Sequence, residues 1–213
     1  AYISGQLSAE RLINEENKET KDLKNIKIPD FFLKTHLLEN FDAKLIDNQT
    51  INVDTNKVKS LILDYREYGD DPDQNCNNED SQFYTLNGIE NFDKLEYLDC
   101  NCNPDIKSLK INENKKLKEL VFNKTGITKI DTKNNNKLEV LNCSDTKIEE
   151  INLKENKNLK ELYCENSNIM GLNLSNNKNL VNLYCGSTYV KTLDLTYNTN
   201  LEELDVKKNT DMK

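Results

Sequence analysis

Histidine is almost missing from this chain: His36 is the only one in 213 residues. No serine or cysteine in the repeated part of the chain has a histidine near it in sequence, and no glycine-rich phosphate loop occurs. Nucleophilic and phosphoryl chemistry therefore have no constellation to work with. Adjacent carboxylates such as Glu149/Glu150 and Glu202/Glu203 fall on expected bends, where solvation accounts for them. No catalysis, cofactor or metal is expected. The chain also lacks any apolar run near the roughly 20 residues of a membrane span, so membrane insertion is not expected. A basic surplus is absent too: the net charge is −8, most of it before residue 89, which argues against nucleic acid. Hydrophobic content of 36% is low for a compact globule, yet sufficient for a domain with a thin core.

What the chain has instead is a repeat. Leucine pairs three residues apart recur at Leu117/Leu120, Leu138/Leu141, Leu159/Leu162, Leu180/Leu183 and Leu201/Leu204, a step of 21 residues, with Leu95/Leu98 one residue early. Five residues after each first leucine stand Cys100, Phe122, Cys143, Cys164, Cys185 and Val206. Further apolar columns follow at Ile106, Ile127, Ile148, Ile169 and Val190, then at Leu109, Ile130, Ile151, Leu172 and Leu193. Another runs through Ile111, Thr132, Leu153, Leu174 and Leu195, and Asn114, Asn135, Asn156, Asn177 and Asn198 close the units. A unit of this length and pattern is one coil of a leucine-rich-repeat solenoid, each coil covering the apolar face of the next. Leu162 and Cys164 alternate with polar neighbours and so point inward from a short strand. Strands of successive coils are expected to stack in parallel, about 4.8 Å apart, and the closing asparagines to pair with backbone groups at the bends. The expected fold is an α/β leucine-rich-repeat solenoid, with a parallel β-sheet on the concave face and mostly strand and irregular coil on the convex side.

The unit L-x-x-L-x-C-x-x-(N/S/T)-x-I-x-x-L-(D/N)-L-S-x-N, plain in residues 159–177, resembles the cysteine-ladder repeats of bacterial internalin-type surface proteins. The resemblance runs from about residue 89 to the end. One column departs from it: where that family often carries asparagine, this chain has Thr125, Thr146, Ser167 and Thr188. Residues 26–64 are similar to the helical N-terminal cap common on bacterial leucine-rich-repeat proteins, followed by a first strand within residues 58–64. Ile28-Pro29-Asp30 opens the cap helix, and Phe31, Phe32, Leu33, Leu37, Leu38 and Phe41 are expected on its buried face. His36 is read as a surface or interfacial residue of that helix. In such caps the helix often runs into a loop resembling an EF-hand. Here residues 41–51 place Lys44 and Ile46 at ligand positions and lack the glycine of the sharp bend, so calcium is not expected.

The remaining segments are read more simply. Residues 1–25 form a polar lead-in with a weak helical pattern. Residues 65–88 form an acidic surface insertion holding Asp70, Asp71, Asp73, Cys76, Glu79 and Asp80. Residues 89–213 are the repeats. The chain opens on Ala1 without methionine, as a processed secreted protein or a trimmed one would, and after Val206 the last coil is left uncovered, as if the protein continued or another chain covered it.

In-register strands hold neighbouring Cβ atoms farther apart than the roughly 3.8 Å of a disulfide, so Cys100, Cys143, Cys164 and Cys185 are expected as free buried thiols. Cys76 and Cys102 lie outside the column, and either a disulfide between them or two exposed thiols fits the sequence. Function is expected on the concave sheet. Its outward columns hold Tyr97, Glu119, Val140, Glu161, Asn182 and Glu203, then Asp99, Val121, Asn142, Tyr163, Tyr184 and Asp205, then Asn101, Asn123, Ser144, Glu165, Gly186 and Lys207. Tyr163 and Tyr184 should touch as a cross-strand pair. With the carboxylates around them they make a hot spot for a partner bearing lysine or arginine. The expectation is a non-catalytic protein-binding or adhesive module of a bacterial protein, extracellular or on the cell surface through the resemblance, with a host or cell-surface protein as partner. The alternatives are a targeting or spacer domain of a larger surface protein or enzyme, and a glycan-binding solenoid using the same tyrosines.

Overall fold

In a computed structural model, residues 21–63 and 83–209 are described. The lead-in up to residue 20, residues 64–82 with Cys76, and residues 210–213 lie outside the described residues.

The chain first builds a cap. Strand β1 (Leu23–Lys27) is followed by helix α1 (Phe31–Asn40), then by strands β2 (Lys44–Leu45) and β3 (Thr50–Asp54). The strands form an antiparallel sheet in the order β1-β3-β2. The cap is thus a short helix on a small sheet, not a helix alone, and β1 begins inside the expected lead-in. Residues 41–51 hold a hairpin, whose turn Asp47 closes by accepting the backbone N–H groups of Gln49 and Thr50, each at 2.8 Å. That bonding also holds the Asp47 carboxyl below the usual range.

Only one stripe of α1 faces inward. Leu33 and Leu37, four residues apart, are fully buried, while Leu38 and Phe41 are partly so. Phe31 and Phe32 were expected on that face but are 65% and 40% exposed, because positions 31 and 32 fall off the stripe set by 33 and 37. Asp30 caps the helix, accepting from the Leu33 N–H at 2.9 Å. Its second oxygen takes the N–H groups of Tyr84 at 2.9 Å and Thr85 at 3.3 Å, so one carboxylate fastens the cap to the returning chain. Phe83 and Leu86 are buried there, which places the end of the expected acidic insertion in the core rather than on the surface. Gly88 follows at φ +110°, and a Cβ on it would stand 2.3 Å from Ile28 Cδ1. The junction therefore admits no side chain at that position.

Beyond it the chain coils. Strands β4 (Ser60–Ile62), β5 (Tyr97–Asp99), β6 (Glu119–Val121), β7 (Val140–Asn142), β8 (Glu161–Tyr163), β9 (Asn182–Tyr184) and β10 (Glu203–Asp205) form one parallel sheet in chain order. Leu98, Leu120, Leu141, Leu162 and Leu183 are paired in register and carry no exposed surface. Cys100, Phe122, Cys143, Cys164 and Cys185 lie beside them, equally buried, and Ile106, Ile127, Ile148 and Ile169 close the core from the convex side. Among the described residues that side carries no α-helix. The four ladder cysteines are free thiols, and burial raises Cys143 to about 12 and Cys185 to about 11. Cys102 is disulfide-bonded, which decides against its being an exposed thiol; Cys76, the other cysteine outside the ladder, lies outside the described residues.

Three further columns hold the bends. The Nδ2 of Asn135 donates to the carbonyls of Ile111 and Asn114 of the preceding coil, at 3.0 and 2.9 Å, and Asn156, Asn177 and Asn198 repeat the pattern. Thr125, Thr146, Ser167 and Thr188 each turn a hydroxyl back onto the carbonyl three residues earlier. At the two ends of that column stand asparagines after all: Asn103 donates to Leu63, Cys100 and Asn101, and Asn209 donates to Cys185. Between these columns and the strands, Cys102, Lys124, Asp145, Asn166, Ser187 and Lys208 all adopt left-handed φ, from 51° to 63°. One such residue per coil turns the chain out of the strand.

Candidate functional site

The ribbon of strands sets two outward columns side by side. In the first, Tyr97, Glu119, Val140, Glu161, Asn182 and Glu203 are paired strand to strand, and carboxylates fall on alternate strands from Glu119 on. Glu119 is held above the ordinary carboxylate range by burial and by its neighbours Glu161 and Glu139, against the opposing pull of Lys118. The two lysines along this edge are already committed, Lys118 to Glu96 at 2.6 Å and Lys160 to Glu139 at 2.7 Å. The column therefore presents negative potential with its nearest cations neutralised.

In the second column Tyr163 and Tyr184 stack, ring centroids 5.0 Å apart and planes 9° from parallel. Parallel in-register strands impose this, since identical side chains one strand apart share a rotamer and lie face on face. Each ring is anchored at its tip: Tyr163 Oη donates to Glu161 Oε2 at 2.7 Å, and Tyr184 Oη donates to Glu203 Oε2. Burial and the Glu161 carboxylate push the Tyr163 phenol well up, and the Glu203 hydrogen bond raises Tyr184 to about 12. Both are neutral donors across the physiological range. Four side chains thus form one unit, a two-ring plate with a carboxylate at each hydroxyl.

The other expected residues divide. Asn142 and Val121 continue the plate along the sheet, half exposed, and Asn182 lies between Glu161 and Glu203. Glu165 sits beside the plate, raised by burial and by Asp205 and Asp145. Asp205 is held low by the backbone and side chain of Lys207, so it stays charged. Asp99 is 3% exposed and accepts from Asn101 N–H and Tyr97 Oη, which makes it a part of the turn. The site as built is centred on strands β8 to β10 rather than spread evenly over the ribbon. His36 is far from it in the fold, half buried on α1 with its ring 6.2 Å from that of Phe41, and burial lowers its pKa. Among the described residues no group of histidine, cysteine and carboxylates could hold a metal ion, and no helix is long and apolar enough to cross a membrane.

A second concavity lies on the flank where the chain leaves the strands, a cleft of about 400 Å³ lined by Asn166, Asn168, Ser187, Tyr189 and Lys208 among others. Sequence reasoning passed over it. The available signal was Tyr189, the one aromatic in the column Pro104, Gly126, Lys147, Asn168, Tyr189.

No protein-family model matches the chain, and no curated protein matches it. Solved structures do. The functional domain of InlJ from Listeria monocytogenes, described as including a cysteine ladder, superposes with a TM-score of 0.58 at 28% identity, over 62% of this chain and 32% of that one. The internalin InlF of the same organism gives a TM-score of 0.53 at 18% identity, over 62% of this chain and 47% of that one. The chain thus spans about a third of the first of these structures and about half of the second. Its coils of 21 residues, its parallel sheet and its cysteine ladder are those of the bacterial leucine-rich-repeat fold of the internalins.

Proposed function

We propose that this chain is a non-catalytic protein-binding module of a bacterial secreted or surface protein, docking its partner on the concave sheet around Tyr163 and Tyr184. The observation that carries the reading is the anchored tyrosine plate. Its rings and their hydrogen-bonded carboxylates are ordered before any partner arrives, so binding freezes few rotamers. Lysine and arginine side chains suit the site, since they can reach Glu119, Glu161, Glu165 and Glu203 while their stems cover the ring edges. The stacking also argues against sugar recognition at this plate, because the inner ring faces cover each other. A secreted or surface location is supported by the likeness to the internalins and by the disulfide at Cys102, a bond that persists in oxidising compartments.

The test is a displayed peptide library panned on the folded domain at low and at high salt. Sequences rich in lysine and arginine should be enriched at low salt, and the double substitution Tyr163→Ala, Tyr184→Ala should weaken the selected peptides by about tenfold or more. Equal binding by the double variant would reject the concave plate as the docking site.

A further inference from the structure

The flank cleft has the chemistry of a binding site of its own. Five residues carry the argument. Along the exit turns, Asn166, Ser187 and Lys208 occupy one left-handed position of three successive coils, and Asn168 and Tyr189 occupy the position two residues beyond. Ser187, the smallest of the three, and the ring of Tyr189 both line the cleft. That ring is 62% exposed and stacks on no other aromatic ring or cation among the described residues. It differs from Tyr163 and Tyr184, whose faces cover each other. Its backbone N–H is bound to the Ile169 carbonyl at 2.9 Å, which fixes the base from which the ring projects.

The polar groups around the ring fall into two sets. Thr188 is occupied, its hydroxyl on the Cys185 carbonyl, and Asn166 gives its amide to Asp145 at 3.0 Å, leaving its carbonyl oxygen as an acceptor. Asn168, Ser187 and Lys208 line the cleft with an amide, a hydroxyl and an ammonium that make no hydrogen bond or ion pair among the described residues. The volume of about 400 Å³ lies in the range of small-ligand clefts, roughly 300 to 1,000 Å³.

From this arrangement we infer that the cleft binds a neutral pyranose sugar, its C–H face on the Tyr189 ring and its hydroxyls on Asn168, Ser187 and Lys208. A flat aromatic face beside several donors and acceptors of mixed kind matches a sugar, which presents an apolar face and a rim of hydroxyls. Charge decides against an acidic sugar. Glu165, Asp145 and Asp205 stand near the cleft and outnumber its one lysine, Lys208, so a polyanion would be repelled there. The inference is independent of the concave plate, which lies on the other side of the exit turns.

The experiment is ligand-observed NMR on the folded chain with four probes: chitotetraose, cellotetraose, a lactose-terminated tetrasaccharide and a tetrasaccharide of hexuronic acid. At least one neutral probe should bind. Tyr189→Ala should weaken it by about tenfold or more, Tyr189→Phe should retain it, and the double substitution Tyr163→Ala, Tyr184→Ala should leave it unchanged. Tyr189 projects outward, so its removal is not expected to disturb folding, which a thermal melt of the variant checks. Binding of none of the neutral probes, binding of the acidic one alone, or binding that survives Tyr189→Ala would each overturn the inference.

Discussion

Lys124 shows what one residue contributes to the coil. It adopts a φ of 55° with an ordinary side chain, in a column whose other members are Cys102, Asp145, Asn166, Ser187 and Lys208. Left-handed backbone costs an L-residue about 1 to 2 kcal/mol, and glycine avoids that cost while losing more freedom on folding. The difference favours glycine. Lys124→Gly should therefore stabilise the protein by about 0.5 to 1 kcal/mol, seen as a higher urea midpoint with an unchanged m-value. A lower midpoint would mean that the lysine stem makes packing contacts worth more than the strain. This column also marks a limit of sequence reading. The leucine, cysteine and asparagine columns could be aligned because one residue type recurs, whereas six residues of five types share a dihedral angle that no residue pattern announces.

At the scale of elements, the same amide has different weight on the two sides of a coil. Asn135 is fully buried and satisfies two carbonyls of the preceding coil, while Asn158 is exposed and donates to the Asn136 carbonyl at 2.9 Å. An unpaired buried carbonyl costs about 1 to 3 kcal/mol, and an exposed one turns to water. Asn135→Ala should thus cost about 2 to 4 kcal/mol and Asn158→Ala less than about 1 kcal/mol, measured side by side by chemical denaturation. Comparable losses would show that the buried ladder does not bear the bends. The repeats were legible because every apolar column recurs. The cap was less so. Strand β1 buries one residue of its five, Ile26, and a strand with so little alternation reads as polar coil. The β2–β3 hairpin resembles a failed calcium loop because turn aspartates and ligand aspartates look alike in sequence. At the candidate site the residues and their pairing were legible, down to Tyr163 against Tyr184. Their anchoring by Glu161 and Glu203 was not, because it depends on rotamers.

On the scale of the whole molecule, the two ends of the stack differ. At the first end Ile28, Leu33 and Leu37 of the cap are fully buried in the same core as the coils, whereas in the last described coil Leu204 is 47% exposed and Leu201 and Val206 are only partly buried. A solenoid holds together through nearest-neighbour contacts, so it can open from its weaker end one coil at a time. The cysteine ladder provides a built-in gauge of this. Cys143, Cys164 and Cys185 are fully buried with thiols raised by desolvation, and so unreactive until their coil opens. Opening the last coils uncovers Cys185, reaching Cys164 requires one coil more, and Cys143 another. Each extra coil removes several buried leucines and asparagine bonds from the folded part, so the open population should fall at least tenfold per step. Pulse alkylation of this chain below its melting temperature, read residue by residue by mass spectrometry, should give rates in the order Cys185, Cys164, Cys143. A single common rate for all three would mean that the stack opens only as a whole, and that the cap and the last described coil do not divide its stability unevenly.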